Sequence, residues 1–101
     1  MDYKVEVYVN KNMVFHNFFM GYSHPNQIVR IVVKKLMKKY NYMHIMIVNK
    51  SGEIWLYNTD KKNGKVDVWI ADKSILSREK TLMIFSGNKT MLEVVKNGQN
   101  C

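Results

Sequence analysis

The side chains able to do chemistry are few and scattered. There are three histidines, His16, His24 and His44, and one cysteine, Cys101. No cysteine and no close acid accompanies a histidine. The patterns H-E-x-x-H, C-x-x-C and H-x-x-x-H are absent, so nothing points to a metal centre. No serine sits in a G-x-S-x-G elbow. Gly52, Gly64, Gly87 and Gly98 read as separate turn glycines rather than a phosphate-cradling loop. His24 precedes Pro25 and reads as a helix-start residue, while His16 falls within a strand pattern. Cys101 is terminal, with nothing to orient it as a nucleophile. The one enzymatic arrangement these residue types could make is a small ribonuclease, with His16 or His44 meeting Lys34 and Glu53. The expectation is a non-enzymatic protein with no metal and no cofactor.

Lysine is the group present in quantity. The chain of 101 residues has 14 Lys, 2 Arg and a formal net charge of +8. Lys and the 11 Asn share AT-rich codons, so an AT-rich genome could inflate both. The distribution of the acids says more than the total. They are Asp2, Glu6, Glu53, Asp60, Asp67, Asp72, Glu79 and Glu93. Between Glu6 and Glu53 there is none, whereas Lys11, Arg30, Lys34, Lys35, Lys38, Lys39 and Lys50 fall there. Such asymmetry predicts a basic face and attraction to polyanions. Arg30, Lys34, Lys35, Lys38 and Lys39 lie within ten residues and are the main candidates for contacting phosphates. Lys11, in the turn Asn10-Lys11-Asn12, and Lys61 and Lys62, in the loop Thr59–Gly64, could extend the track.

Those cations need elements to hold them. Residues 3–9 alternate Val5, Val7 and Val9 against Lys4, Glu6 and Tyr8, the mark of a half-buried strand. Residues 13–19 return as its hairpin partner. Pro25 suits the first position of a helix, predicted over 25–40, with Val29, Val32, Val33, Leu36 and Tyr40 as the apolar stripe and Asn41 as a left-handed cap. Arg30, Lys34 and Lys38 form a row on it. Strands are expected at 43–49, 53–58 and 65–71, then a polar connector at 72–80, a last strand at 81–86, and a short helix at 89–96 stopped by Gly98. The tail, residues 98–101, should fray.

The order β-β-α-β-β-β-β-α predicts a single α+β domain, with a mostly antiparallel sheet, the long helix packed on one face and a short C-terminal helix. Taking the alternation literally, Ile45, Ile47, Ile54, Leu56, Val66, Val68 and Ile70 join Val5 and Val7 beneath the long helix. His44, Met46, Trp55, Tyr57, Asp67, Trp69, Met83 and Phe85 then share the other face. Three readings suit so aromatic a face. The C-terminal helix covers it, or it is a homodimer or partner surface, or Trp55, Tyr57 and Trp69 stack unpaired bases.

No apolar run is long enough to span a bilayer, and the long helix needs its stripe for the core, so no membrane role is expected. The acidic start Met1–Glu6 is unlike a signal peptide, and one cysteine provides no disulfide framework. A reducing, cytoplasmic setting follows, the host's if the protein is viral. The chain lacks the aromatic box of RNA-recognition motifs and the G-x-x-G loop of KH domains. In size and codon style it resembles accessory proteins of phages, viruses or mobile elements. The leading expectation is a nucleic-acid-binding protein, with RNA or single strands favoured. The alternative is an inhibitor that grips an acidic host protein.

Overall fold

The computed structural model describes residues 1–99. Five strands form one antiparallel sheet: β1 (Asp2–Val9), β2 (Asn12–Met20), β3 (Tyr42–Asn49), β4 (Glu53–Lys62) and β5 (Lys65–Ile75), in the spatial order β2-β1-β3-β4-β5. Three helices complete the chain: α1 (Pro25–Leu36), α2 (Arg78–Phe85) and α3 (Met91–Gln99). No described helix is long and apolar enough to cross a membrane. The α+β class and the antiparallel sheet are as the sequence predicts.

The hairpins follow from local chemistry. Asn10 and Lys11 have φ of 51° and 67°, and Asn63 and Gly64 have φ of 53° and 78°. Both pairs make tight two-residue turns that need two left-handed residues in succession, a geometry Asn10, Asn63 and Gly64 adopt readily and Lys11 takes as the second residue of its turn. The second turn replaces the loop expected at 59–64, and β4 runs on to Lys62. On the far side β5 continues to Ile75 through the expected connector at 72–80.

Register explains the largest correction. The turn between β3 and β4 holds three residues, Lys50, Ser51 and Gly52, and Val48 pairs with Ile54 and Ile47 with Trp55. An odd loop pairs odd positions with odd ones. A shift of one residue exchanges the two faces of a strand. Trp55 and Tyr57 therefore lie beneath α1, beside Val5, Val7, Ile45 and Ile47, while Ile54 and Leu56 face the other way. Gly52 permits this turn at φ 88°, and a Cβ there would stand 2.7 Å from the Leu76 carbonyl oxygen.

The second face is a second core. Tyr8, Met46, Val48 and Ile54 pack against Ile84 of α2 and Met91 and Val94 of α3. Of the three readings of this face, coverage by C-terminal helix is the one the packing bears out. Residues 81–85 are helical rather than a strand, and Ser86 is the C-cap of α2. Ser77 accepts from the Lys80 amide at 3.2 Å, capping the first turn of α2. Gly87, at φ 82°, ends it, with Gly87 N–H donating to Ile84 O and Asn88 N–H to Met83 O. This paired closure is a strong helix stop, and it outweighs the alternation of Leu82 and Ile84. Helix α3 starts two residues later than expected because Thr90 and Glu93 cap each other's amides. It runs through Gly98, so the frayed tail expected at 98–101 begins helical, and residues 100–101 lie outside the described residues.

Helix α1 also ends early. Met37 is its C-cap at φ −71°, and Lys38 and Lys39 form a turn. A continued helix would set Lys34 against Lys38 and Lys35 against Lys39 at a spacing of four, where like charges are unfavourable. Asn41 takes no left-handed conformation. The buried residues of α1 are Pro25, Ile28, Val29 and Val32, while Val33 and Leu36 pack at its flanks.

Both faces of β1 are covered, and three tyrosines are buried with it. Burial pushes the Tyr3, Tyr8 and Tyr57 hydroxyls above their ordinary pKa of 10.0. For Tyr8 the neighbouring Glu6 carboxylate adds to the rise, because the Tyr8 hydroxyl donates to Glu6 Oε1 at 2.7 Å. The folded state thus holds these protons more tightly than the unfolded chain. Stability is intact below about pH 10 and falls as pH climbs beyond it, by up to about 1.4 kcal/mol per pH unit for each tyrosine. Urea midpoints measured from pH 8 to 11 should drop steeply past pH 10. Tyr8→Phe should flatten that limb, and a flat profile for the wild type would contradict the buried placement.

Candidate nucleic-acid interface

Helix α1 is pinned across the sheet at both ends. At its start, His24 Nδ1 accepts from the Asn26 amide at 3.1 Å, and Gln27 Oε1 accepts from the His24 and Ser23 amides. Asn26 then accepts from the Tyr57 hydroxyl at 2.9 Å, tying the first turn to β4. At its end, Lys61 Nζ donates to the Met37 carbonyl at 3.4 Å. The apolar stripe faces inward and the cations face out.

Arg30, Lys34, Lys35, Lys38 and Lys39 are all exposed. Arg30 and Lys34 line the side of α1 nearer β5. Lys35 leans towards β2, its ammonium 5.3 Å from the Phe15 ring centre, and Lys39 lies 5.6 Å from the Tyr40 ring. Ion pairs among the described residues are Lys4–Glu6, Lys50–Asp2, Lys62–Asp60 and Lys73–Glu53. None engages a cation of α1.

The register shows where the carboxylates go. Tyr3, Val5 and Val7 face α1, so Asp2 and Glu6 point to the other side of β1. Asp60 and Asp67 pair with each other, and Asp72 pairs with Leu56, on that same side. Glu79 and Glu93 belong to α2 and α3, which cover it. Only Glu53 shares the α1 side, where it holds Lys73 at 3.9 Å. Seven cations (Arg30, Lys34, Lys35, Lys38, Lys39, Lys61 and Lys73) thus stand on the α1 side with one carboxylate. Lys73 joins this group unanticipated, because the strand carrying it reads as connector in the sequence.

Several expected site residues lie elsewhere. Lys11 lines a groove on the opposite face with His44, Asn58 and Asp72. Lys62 also points to that face, where Asp60 pairs with it at 3.6 Å. Trp55 and Tyr57 are 6% and 3% exposed, inside the α1 core, so no base can stack on them. Trp69 is 43% exposed on β5, where it pairs with Asn58 and also lines the groove beside Arg30 and Lys34. The ribonuclease arrangement is not assembled either. His16 pairs with Glu6 and His44 with Asn58, on the face opposite Lys34, and the sheet separates them. His44 instead has Asn58 Oδ1 at 2.7 Å and Tyr42 edge-on at 5.0 Å.

Beside the cation row runs a groove of about 550 Å³ between α1 and β5. Val29, Val33, Val68 and Ile70 line it, Tyr57 contributes to its wall, and Arg30 and Lys34 stand at its edge. The surface therefore offers positive charge with an apolar margin, and Trp69 of β5, half-exposed, also lines the groove. Comparison with protein-family models, with curated proteins and with solved structures gives no match for this chain.

Proposed function

We propose that the protein binds nucleic acid through its phosphates, using Arg30, Lys34, Lys35, Lys38 and Lys39 on and after α1, with Lys61 beside them. One observation carries this reading: the five cations on and after α1 are exposed and without ion pairs among the described residues, while most carboxylates belong to the opposite face. Lysine contacts to phosphates supply affinity without reading base identity. With Trp55 and Tyr57 buried, Trp69 is the one exposed member of the three stacking candidates, and the surface suits any phosphate backbone it can lie along. Such a ligand implies work inside a cell, as expected of an accessory protein of a phage or mobile element acting in its host's cytoplasm.

The apolar groove beside Arg30 and Lys34 supports a second reading, an antagonist seated on an acidic host protein. Purification without nuclease separates the two. A nucleic-acid binder should carry material that raises absorbance at 260 nm over 280 nm and is shed in high salt. A protein binder should retain its partner after nuclease treatment, and that result with no nucleic-acid carry-over would overturn the first reading.

A further inference from the structure

Strand β5 ends the sheet, and all of its residues from Lys65 to Ile75 are exposed. Helix α1 packs on β1, β3 and β4, and α2 and α3 pack on the same strands from the other side. Neither layer covers β5. The strand is nevertheless apolar: Val66, Val68, Trp69 and Ile70 are 39%, 41%, 43% and 53% exposed. The other edge, β2, is handled differently. Its Val14, Phe15 and Phe19 pack on the α1 core, and Phe18 rests 6.1 Å from Phe85. A long, uncovered apolar edge is a template for another strand.

The free hydrogen-bonding groups of β5 can be assigned. The two-residue turn Asn63-Gly64 makes Lys62 and Lys65 a hydrogen-bonded pair, and such pairs alternate along an antiparallel ladder. The amides and carbonyls of Val66, Val68 and Ile70 therefore point away from β4. Their side chains also share the α1 face, since Val66, Val68 and Ile70 pair with Lys61, Thr59 and Tyr57. After Ile70 the bulge at Ala71 breaks the pattern.

We propose that β5 pairs antiparallel with β5 of a second copy of this chain, about a two-fold axis at Val68. In that register Val68 meets its own equivalent and Val66 meets Ile70 of the other copy. Roughly six backbone hydrogen bonds form from the outward groups. The ends of the strand are complementary in charge: Lys65 comes opposite Ala71, next to Asp72 of the other copy, on a shared face. Neighbouring registers fit less well: centring on Asp67 sets that carboxylate against itself, and centring on Trp69 brings Val66 opposite Asp72 instead of Ile70. The product is a continuous ten-stranded sheet with both α1 helices on one face. This pairing is independent of what α1 binds.

The test is the mass in solution by sedimentation equilibrium, together with register-specific cross-links. The wild type should be a dimer of the 12.0 kDa chain. Val68→Lys, which sets two ammonium groups at the axis, should be a monomer with an unchanged circular dichroism spectrum. In a Cys101→Ser background, Val68→Cys should oxidise to a covalent dimer, because facing Cα atoms of such a pair stand about 5.5 Å apart, within disulfide reach. Trp69→Cys, which faces Asp67 of the other copy, should not. A monomeric wild type, a dimer that survives Val68→Lys, or failure of Val68→Cys to link would each overturn the proposal.

Discussion

Replacing Lys34, Lys35, Lys38 and Lys39 together with glutamate should leave a folded protein that binds nucleic acid on the order of 10³-fold more weakly near 0.1 M salt. The estimate rests on counterion release, in which each phosphate contact is worth about 0.9 of a decade in affinity per decade of salt. The four side chains are exposed and none is in an ion pair among the described residues, so the fold does not depend on their charge. Exposed substitutions of this kind usually cost about 0.5 kcal/mol or less each. Fluorescence anisotropy with labelled RNA and DNA reads the affinity, and circular dichroism reads the fold. A folded variant that binds as the wild type does would remove α1 from the site.

The largest effect on stability should come from Glu6, which lies far from that surface. Glu6 is 1% exposed, and its Oε1 accepts from the Tyr8 hydroxyl at 2.7 Å and from the Met91 amide at 2.8 Å. Met91 is the first residue of α3, so a β1 carboxylate holds the N-terminus of that helix, where the dipole favours negative charge. Lys4 approaches Glu6 at 3.8 Å and donates to the Ile84 carbonyl at 2.7 Å, which ties in α2 as well. Glu6→Leu strands the buried Lys4 charge and frees the Tyr8 hydroxyl and the Met91 amide. Breaking a buried pair from one side costs about 3–5 kcal/mol, against a total of about 5–15 kcal/mol for a domain. The melting temperature should fall by at least ~12 °C. Tyr8→Phe, which deletes one hydrogen bond, should cost about 1 kcal/mol. A Glu6→Leu variant as stable as the wild type would show that α3 docks by apolar contact alone.

Glu6 also shows what the sequence leaves hidden. Its strand reads as half-buried, with Lys4, Glu6 and Tyr8 on the wet side. That inference holds for a strand covered on one face, but β1 is central and α2 and α3 cover its second face. Nothing local in Lys4–Tyr8 announces those helices. Their signals lie some 70 residues away: Ser77 and Gly87 bracket α2, and Thr90 and Glu93 form a capping box. Read with those caps, residues 81–85 become helix and the second core follows.

The cation row was legible for a different reason. Placing Arg30, Lys34 and Lys35 needs only the period of one helix, whose inward side Pro25, Val29 and Val32 mark, and Lys38 and Lys39 follow in the turn after it. The aromatic platform depended on counting across a turn. One residue more or less between Asn49 and Glu53 decides whether Trp55 and Tyr57 are wet or buried, and composition does not set that count. The placement of the acids does not rest on β4 and β5 alone, because Asp2, Glu6, Glu79 and Glu93 lie on β1, α2 and α3.

The most direct test of the account is the salt dependence of binding. Affinity for a duplex oligonucleotide, measured from about 50 to 300 mM salt, should fall linearly on a log–log plot. Five phosphate contacts, from Arg30, Lys34, Lys35, Lys38 and Lys39, correspond to a slope of about −4.5. A slope near zero, or no binding at the lowest salt, would contradict a phosphate-binding role for this face.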